Sequence, residues 1–500
     1  MVKNYNPVLQ KDRPLTKVLL WFLLIIAVNI ISLFSVYRSS RILFVIISFS
    51  FIVLLSYLFW KKAILIFLIW VTVSGAVRKW LLHDFSDVVF LFNHILLAGI
   101  YIRYSVEQLK NRSPLFIKHP LNIFLSVFFL WGLACAFNPM LPNFYVGLLG
   151  LIVHYYFIPL IAIVPCVFNT KDELIKVLKI YASFSLPLLI LGLVQFFSPV
   201  YSPINAYILT DSGGLPSGAG IFGGIATVGG HARITSTFSF ISGYTTYLNF
   251  LAVILVYLLE QKGSSIRFTV LLYLLLVLNI INFFMTGSRG PTGFCIFGIM
   301  LYVFFSGMVT LSTFKKFFLR FFFAALLVFS FIAFTSIGQE IIHAFTSRAT
   351  GHEDLIPRII RNYTAPFDFF KTAGLYGFGI GTTYQGSVAL GYNRLLLMKI
   401  TGGFEDEPGR LVIELGLVGF IIIFITRFIL LAYFFSLYKK LKDESLKHLA
   451  LAGLVFQLPY AIGINNLVFD YTSQIFYWFA AGLLFLLPKL DQQILEHRKA

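Results

Sequence analysis

Charge is what this sequence has least of. Only 12% of its 500 residues are Asp, Glu, Lys or Arg, whereas 58% are hydrophobic and 18% aromatic. A water-soluble fold needs a more charged surface, so the composition excludes one and indicates a polytopic membrane protein. Cysteine is scarce too. Cys135, Cys166 and Cys295 lie in apolar runs, without metal-ligand spacing and odd in number, which excludes a complete disulfide framework and leaves buried small hydrophobes. Acidic residues number 21 against 39 basic ones, a net charge of +18. In a soluble protein that balance suggests nucleic acid; in a membrane protein it sets topology, so no nucleic-acid partner is expected. A cleavable signal peptide is not evident either. The polar start "MVKNYNPVLQKDRPLTK" runs straight into a full-length apolar span.

Long apolar runs are what the sequence does have. Read as helices of membrane length, they give about fourteen spans. They centre on 18–36, 42–60, 63–77, 88–102, 121–137, 148–168, 177–197, 240–259, 268–286, 291–309, 319–337, 410–432, 448–464 and 471–487. The expected fold is an all-α polytopic membrane protein with a large periplasmic or extracellular loop carrying short helices. Four regions follow: an N-terminal bundle, 1–239, closing with a glycine-rich outer loop at 199–239; central helices, 240–337, with a Ser-Arg-Gly hairpin; an outer-loop subdomain, 338–409; and C-terminal helices, 410–500. In the third region "GHEDLIPRIIRNYTAPFDFFKTAG" reads as amphipathic, with Leu355, Ile359, Ile360 and Tyr363 on one side.

Cytoplasmic loops are rich in Lys and Arg. Placing both termini in the cytoplasm puts Lys61-Lys62, Lys171, Lys176, Lys179, Lys315-Lys316 and Lys439-Lys440 on that face. Nearly all lysines then fall inside, whereas most arginines fall outside. Topology does not explain the outer arginines. Their planar fork holds carboxylate or phosphate bidentately, so an anionic ligand, a phosphate above all, is expected there. Arg38 and Arg41, in the first hairpin, fit headgroup snorkelling instead.

Four polar clusters converge on this outer face. They are "GGHARITSTF" (His231 to Phe238), Ser288-Arg289-Gly290, "IPRIIRNY" with Arg358 and Arg361 on one helical face, and Glu405-Asp406-Glu407 before the twelfth span. Gly377, Gly379 and Gly381 form a glycine-dense loop that lets backbone amides approach a ligand. Each cluster also has a plain reading: Arg289 as a helix cap, Glu405 to Glu407 as acids favoured by the helix dipole, His231 as a loop residue. Glu414 and Arg427, inside a span, should face the bundle.

Taken in order, these motifs resemble the O-antigen polymerase and O-antigen ligase superfamily of bacterial membrane glycosyltransferases. The shared pattern is Arg-x-x-(Gly/Ser)-Thr-Phe (Arg233 to Phe238), Thr-x-Ser-Arg-Gly (Thr286 to Gly290), an arginine upstream of Gly-x-Gly-x-Gly (Arg358, Gly377 to Gly381) and Glu-x-Gly-x-x-Gly (Glu414, Gly416, Gly419). It covers about 230–420. Ligases of that superfamily carry a His-Asn pair where this chain has Glu405-Asp406, so a polymerase of O-antigen, capsule or exopolysaccharide fits better than a ligase.

The resemblance implies a polyprenyl-pyrophosphate-linked oligosaccharide as substrate, in a bacterial inner (cytoplasmic) membrane, with the site on the periplasmic side. Membrane lipids, chain-length regulators and flippases are the implied partners, with no cofactor and no metal. Arg289 and Arg358, assisted by Arg233 or Arg361 and by the amides of Gly379 and Gly381, are expected to bind the pyrophosphate. Arg289 would stabilise the leaving group, and Glu405 or Asp406 would deprotonate the acceptor hydroxyl. The rival class is a lipid-linked oligosaccharide flippase.

Overall fold

The computed structural model describes residues 38–82, 86–116, 118–207, 227–261, 263, 265–307, 333–350, 355–401 and 406–499, with a few positions between 319 and 330. The expected span 18–36, part of 319–337, the stretch 208–226 and Glu405 lie outside the described residues.

In chain order the helices are α1 (Arg38–Leu58), α2 (Trp60–Ala76), α3 (Ser86–Lys110), α4 (Leu121–Ala136), α5 (Phe144–Tyr155), α6 (Leu160–Val167), α7 (Lys171–Phe197), α8 (Ile241–Leu259), α9 (Ile266–Met285), α10 (Arg289–Gly307), α11 (Ser336–Thr350), α12 (Leu355–Ala373), α13 (Arg394–Thr401), α14 (Glu407–Lys440), α15 (Glu444–Ala461) and α16 (Tyr471–Lys499). A short antiparallel hairpin, β1 (Thr227–Val228) and β2 (His231–Ala232), precedes α8 and pairs Thr227 with Ala232.

Among the described residues, 9 helices are long and apolar enough to cross a membrane. Each falls on a span expected from the sequence. Val45–Leu58 and Leu121–Ala136 are shorter apolar helices at two further expected positions. The protein is therefore an all-α, membrane-embedded chain.

One helix end differs from expectation. The span expected to stop at 77 continues as a π-helical turn, Val77–Leu81, in which Arg78 and Lys79 are buried. In the fold Arg78 donates to Ser86 and Ser239, and Lys79 to Thr235 Oγ1 and the Ser236 carbonyl, so the helical turn continues through both cations.

The core is centred on α8, whose apolar window is 94% buried, and on α16, 83% buried. Both pack on α15 as well as on each other. Outer helices bury one side only. Ile123, Leu130, Val194, Val270, Met300 and Phe428 remain exposed, an apolar surface that suits lipid and not water.

Successive spans run in opposite directions, so helix ends segregate into two groups. At one end Lys171 pairs with Asp443 at 2.7 Å, Asp491 accepts from the backbone of Asp443 at 2.8 Å, and Tyr302 donates to Glu260 at 2.7 Å. This is the lysine end. At the other end the segments 78–82, 137–144, 198–207, 227–240, 286–290, 374–401, 406–410 and 462–470 meet. Arginine dominates there. A small separate apolar cluster of Ala365, Phe369, Phe378, Leu397, Val412 and Ile413 packs α12 and α13 onto the start of α14.

Candidate functional site

The segment from Arg233 to Phe238 makes a clamped turn at the arginine end. Ser236 takes a left-handed backbone, φ 48°, which a non-glycine residue holds only when its surroundings fix it. Those surroundings come from α7 and from α2 with its π-helical continuation. Gln195 Oε1 accepts from the N–H groups of Thr235 at 3.2 Å and Ser236 at 2.6 Å. Lys79 Nζ donates to Thr235 Oγ1 at 3.0 Å and to the Ser236 carbonyl at 2.6 Å. Ser236 Oγ donates to the Leu188 carbonyl, and Thr237 Oγ1 to that of Thr72. At Gly75 an added Cβ would lie 2.5 Å from the Thr237 carbonyl oxygen, so α2 comes as close as glycine allows.

Arg233 leaves this turn toward the Ser-Arg-Gly hairpin. Its Nε donates to the Thr286 carbonyl at 2.7 Å and its second guanidinium nitrogen to Ser288 Oγ at 2.9 Å. Gly287 takes φ 62°, which the hairpin needs. Two motifs more than fifty residues apart are thus one unit. The fork that the sequence assigns to pyrophosphate is engaged in holding the turn before Arg289, which is half-buried at the first position of α10.

The glycine loop is a second unit, organised by Glu414. The carboxylate of Glu414, fully buried, meets His154 Nε2 at 2.8 Å and accepts from Gly381 N–H at 2.9 Å, Thr383 N–H at 2.8 Å and Thr383 Oγ1 at 2.6 Å. Inside α14, Gly416 has φ 68° and ψ −177°, breaking the helix so that Phe378 N–H reaches the Ile413 carbonyl at 2.7 Å. The glycine loop, a run of turns with left-handed Gly377, Gly379 and Gly381, therefore lies against the break. Gly379 and Gly381, the expected ligand glycines, are engaged within the protein. Their amides donate to Glu414, and added Cβ atoms would lie 2.7 Å from Leu141 and 2.5 Å from the Val146 carbonyl oxygen. Close approach is the reason for glycine here, but the approach is to protein.

Between the two units lies a cavity of about 530 Å³. Phe238, Ser239 and Phe240 of the first unit and Tyr384, Gln385 and Gly386 of the second form facing walls, completed by Arg78, His94, Asp470 and Gln474. Arg78 is buried. Its Nε donates to Ser86 at 3.1 Å, another nitrogen donates to Ser239 Oγ at 3.1 Å, and its guanidinium carbon sits 5.3 Å from the Phe90 ring. Asp470 caps α16, accepting from Thr472 N–H at 2.9 Å. Burial pushes its carboxyl above the usual range, opposed by hydrogen bonding from Ser242 and the α16 N-terminus. Tyr384 is likewise raised by burial, against the charges of Arg78 and Arg410. Arg410 lies behind this wall, 3.5 Å over the Phe469 ring and donating to Thr383 Oγ1 at 3.1 Å.

The remaining expected residues form a third group. Asp406 is the N-cap of α14, its Oδ1 accepting from Gly409 N–H at 2.7 Å. Its Oδ2 is buried and meets no hydrogen-bond partner among the described residues. Burial raises the Asp406 carboxyl; the Gly409 hydrogen bond and the charges of Arg361 and Arg410 pull it back. Arg361 is exposed on α12. Arg358 lies in α12, with its side chain outside the described residues. Glu407 is an acid in the first turn of α14, as the helix-dipole reading has it, and it has a further role. It is buried, ion-paired with Arg427 and accepting from Leu467 and Val468 N–H, the latter at 3.1 Å. Arg427 and Glu414 do face the bundle. His231, stacked on Phe196 with ring centroids 4.3 Å apart, pairs with Glu340 at 2.9 Å and fastens the hairpin to α11.

Arg78, Asp470, Tyr384 and Arg410 escaped the sequence reading. The available signal was weak: Arg78 and Asp470 stand outside the motifs, and Tyr384 and Arg410 lie beside them without belonging to their patterns. Among the described residues no group of three or more His, Cys, Asp or Glu side chains could hold a metal ion. No protein-family model matches the chain, and no curated protein matches it either.

Proposed function

We propose that the protein is a membrane glycosyltransferase joining polyprenyl-pyrophosphate-linked oligosaccharide repeats into O-antigen, capsule or exopolysaccharide, at the outer face of a bacterial cytoplasmic membrane. One observation carries this reading. The turns that follow two of the ordered motifs, Arg233–Phe238 and Gly377–Gly381, wall a single cavity with a buried arginine, Arg78, and a half-buried carboxyl, Asp470. A concave site with apolar and aromatic walls and a few fixed polar groups suits a sugar, whose ring faces are apolar and whose edges are hydroxyls.

In this mechanism Arg289, with Arg358 and Arg361, holds the pyrophosphate and stabilises the charge that grows on it as the glycosidic C–O bond breaks. Arg233 holds the turn before Arg289. An acceptor hydroxyl attacks the anomeric carbon from the opposite face, inverting it, and gives its proton to a carboxylate. Asp470 is the first choice for that base because it lines the cavity and its raised pKa brings it toward neutral pH. Asp406, with one oxygen held in a helix cap, and Glu405 are the alternatives.

Purified protein in liposomes, supplied with lipid-linked repeats, tests the reading. New glycosidic bonds between repeats support it. Transfer of the glycan to a separate lipid or protein acceptor replaces it with the ligase reading. Translocation of intact repeats without bond formation overturns it in favour of a flippase.

A further inference from the structure

Helix α12 has three faces. Ala365, Pro366 and Phe369 are buried, with Phe369 against Gly409 in the first turn of α14. Arg361, Thr364 and Asp368 form an exposed polar face. A third face carries Ile360, Tyr363 and Phe367, at helical spacing, with exposures of 54%, 46% and 70%. Helix α13 packs on α12 and leaves Leu395, Leu396 and Ile400 exposed. A surface bathed only in water does not hold large apolar side chains in such numbers.

Two observations identify what covers them. The first is continuity with the lipid-facing belt. Just beyond α12, Tyr376 stacks on Trp131 of α4, with ring centroids 5.8 Å apart and planes 19° from parallel. Helix α4 in turn exposes Ile123, Leu130 and Phe137, and tyrosine and tryptophan favour the headgroup level. The second is charge. Helix α13 carries Arg394 and Lys399 and no acid, and α12 sets Arg361 and Lys371 against Asp368. Amphipathic helices of this kind lie in the membrane interface and favour anionic headgroups.

We infer that α12 and α13 lie in the plane of the bilayer interface at the arginine end, with Ile360, Tyr363, Phe367, Leu395, Leu396 and Ile400 inserted among the lipids. The occupant of this surface is lipid, not a partner protein or a second copy. The α12 face of Arg361 and Asp368 stays in water. The inference does not depend on the glycosyl-transfer chemistry. It sets Asp406, at the N-cap of α14, beside a lipid-contacting helix, so a ligand carried on a lipid approaches that end sideways through the membrane plane.

Site-directed fluorescence on the full chain tests this. Phe367→Cys, Ile400→Cys and Asp368→Cys variants are labelled with an environment-sensitive dye and reconstituted into vesicles of phosphatidylcholine and phosphatidylglycerol in equal parts. The unsubstituted protein corrects for labelling of Cys166, which is partly exposed. The expected result is that labels at 367 and 400 are quenched by a nitroxide lipid labelled near its headgroup and shielded from iodide. The label at 368 should show the reverse. Equal iodide quenching at 367 and 368 overturns the inference, as the face would then be in water. Shielding from both quenchers also overturns it, since the cover would then be protein.

Discussion

His154 and Glu414 lie 260 residues apart in the chain and meet at 2.8 Å inside the bundle, both with fully buried side chains. The same carboxylate holds Gly381 and Thr383, so one intramembrane acid fixes the loop that leads into the cavity wall at Tyr384. An isolated charge here would be costly, and hydrogen bonding on both oxygens is what makes its position tolerable.

Removing that carboxylate should therefore act first on stability. Glu414→Ala leaves His154 and the donors of Gly381 and Thr383 without their acceptor, and should cost about 3–5 kcal/mol. Thermal unfolding in detergent measures it. A melting temperature equal to that of the wild type would mean the buried pairing does not form.

The break in α14 makes a second stability prediction. Gly416 holds φ 68°, and a Cβ there would lie 2.0 Å from the Leu375 carbonyl oxygen. Gly416→Ala should cost at least ~1–3 kcal/mol from backbone conformation alone, with the clash added. Gly293→Ala, where a Cβ meets nothing within 4 Å, should be near neutral. Equal melting temperatures for the two variants would remove the argument for the break.

Activity should depend on Asp470 in a pH-specific way. Asparagine also caps helices well, so Asp470→Asn should fold normally while losing about 10²–10⁴ of the polymerisation rate if the carboxylate is the base. The acid limb of the wild-type rate profile should lie above the ordinary carboxylate range, because burial raises this group. Stability carries the opposite sign. A raised folded-state pKa means the Asp470 contribution is fully present below the unfolded pKa and is lost as pH rises through the folded value. Relative to Asp470→Asn, the wild type should therefore lose stability as pH rises through that window. A fully active Asp470→Asn enzyme would return the base role to Asp406 or Glu405.

For the pyrophosphate arginines, Arg289→Lys keeps charge but loses the fork that grips phosphate. Arg289→Lys and Arg358→Ala should each shorten or abolish polymer on gels at unchanged protein level. Wild-type polymer from both variants would end the pyrophosphate assignment.

Legibility followed the range of the interactions. The spans were readable because apolar run length is local information. Arg427 and Glu414 were correctly turned inward because lipid leaves charge no other place. The span that opens with α2 runs on past 77 because Lys79 is satisfied by Thr235 and Ser236, partners distant in sequence. Gly379 and Gly381 were recognised as sites of close approach, but only the fold reveals that Glu414, Leu141 and Val146 are what comes close. The ion pair of Glu407 could not be read because its partner Arg427 lies 20 residues further along, beyond the break at Gly416. Asp470 and Arg78 carried no motif, and their meaning rests entirely on which turns the bundle gathers at one end.

The cavity draws its walls from both ends of the chain order. Arg78 comes early, the two motif turns come in the middle, and Val468 to Gln474 come last. During synthesis, then, both motif turns can be complete while the space between them is still open on one side. The cavity acquires its final wall, with Asp470, only when α15 and α16 insert. Any shortened chain that stops before Asp470 would carry every recognisable motif and yet leave the chamber open on that side.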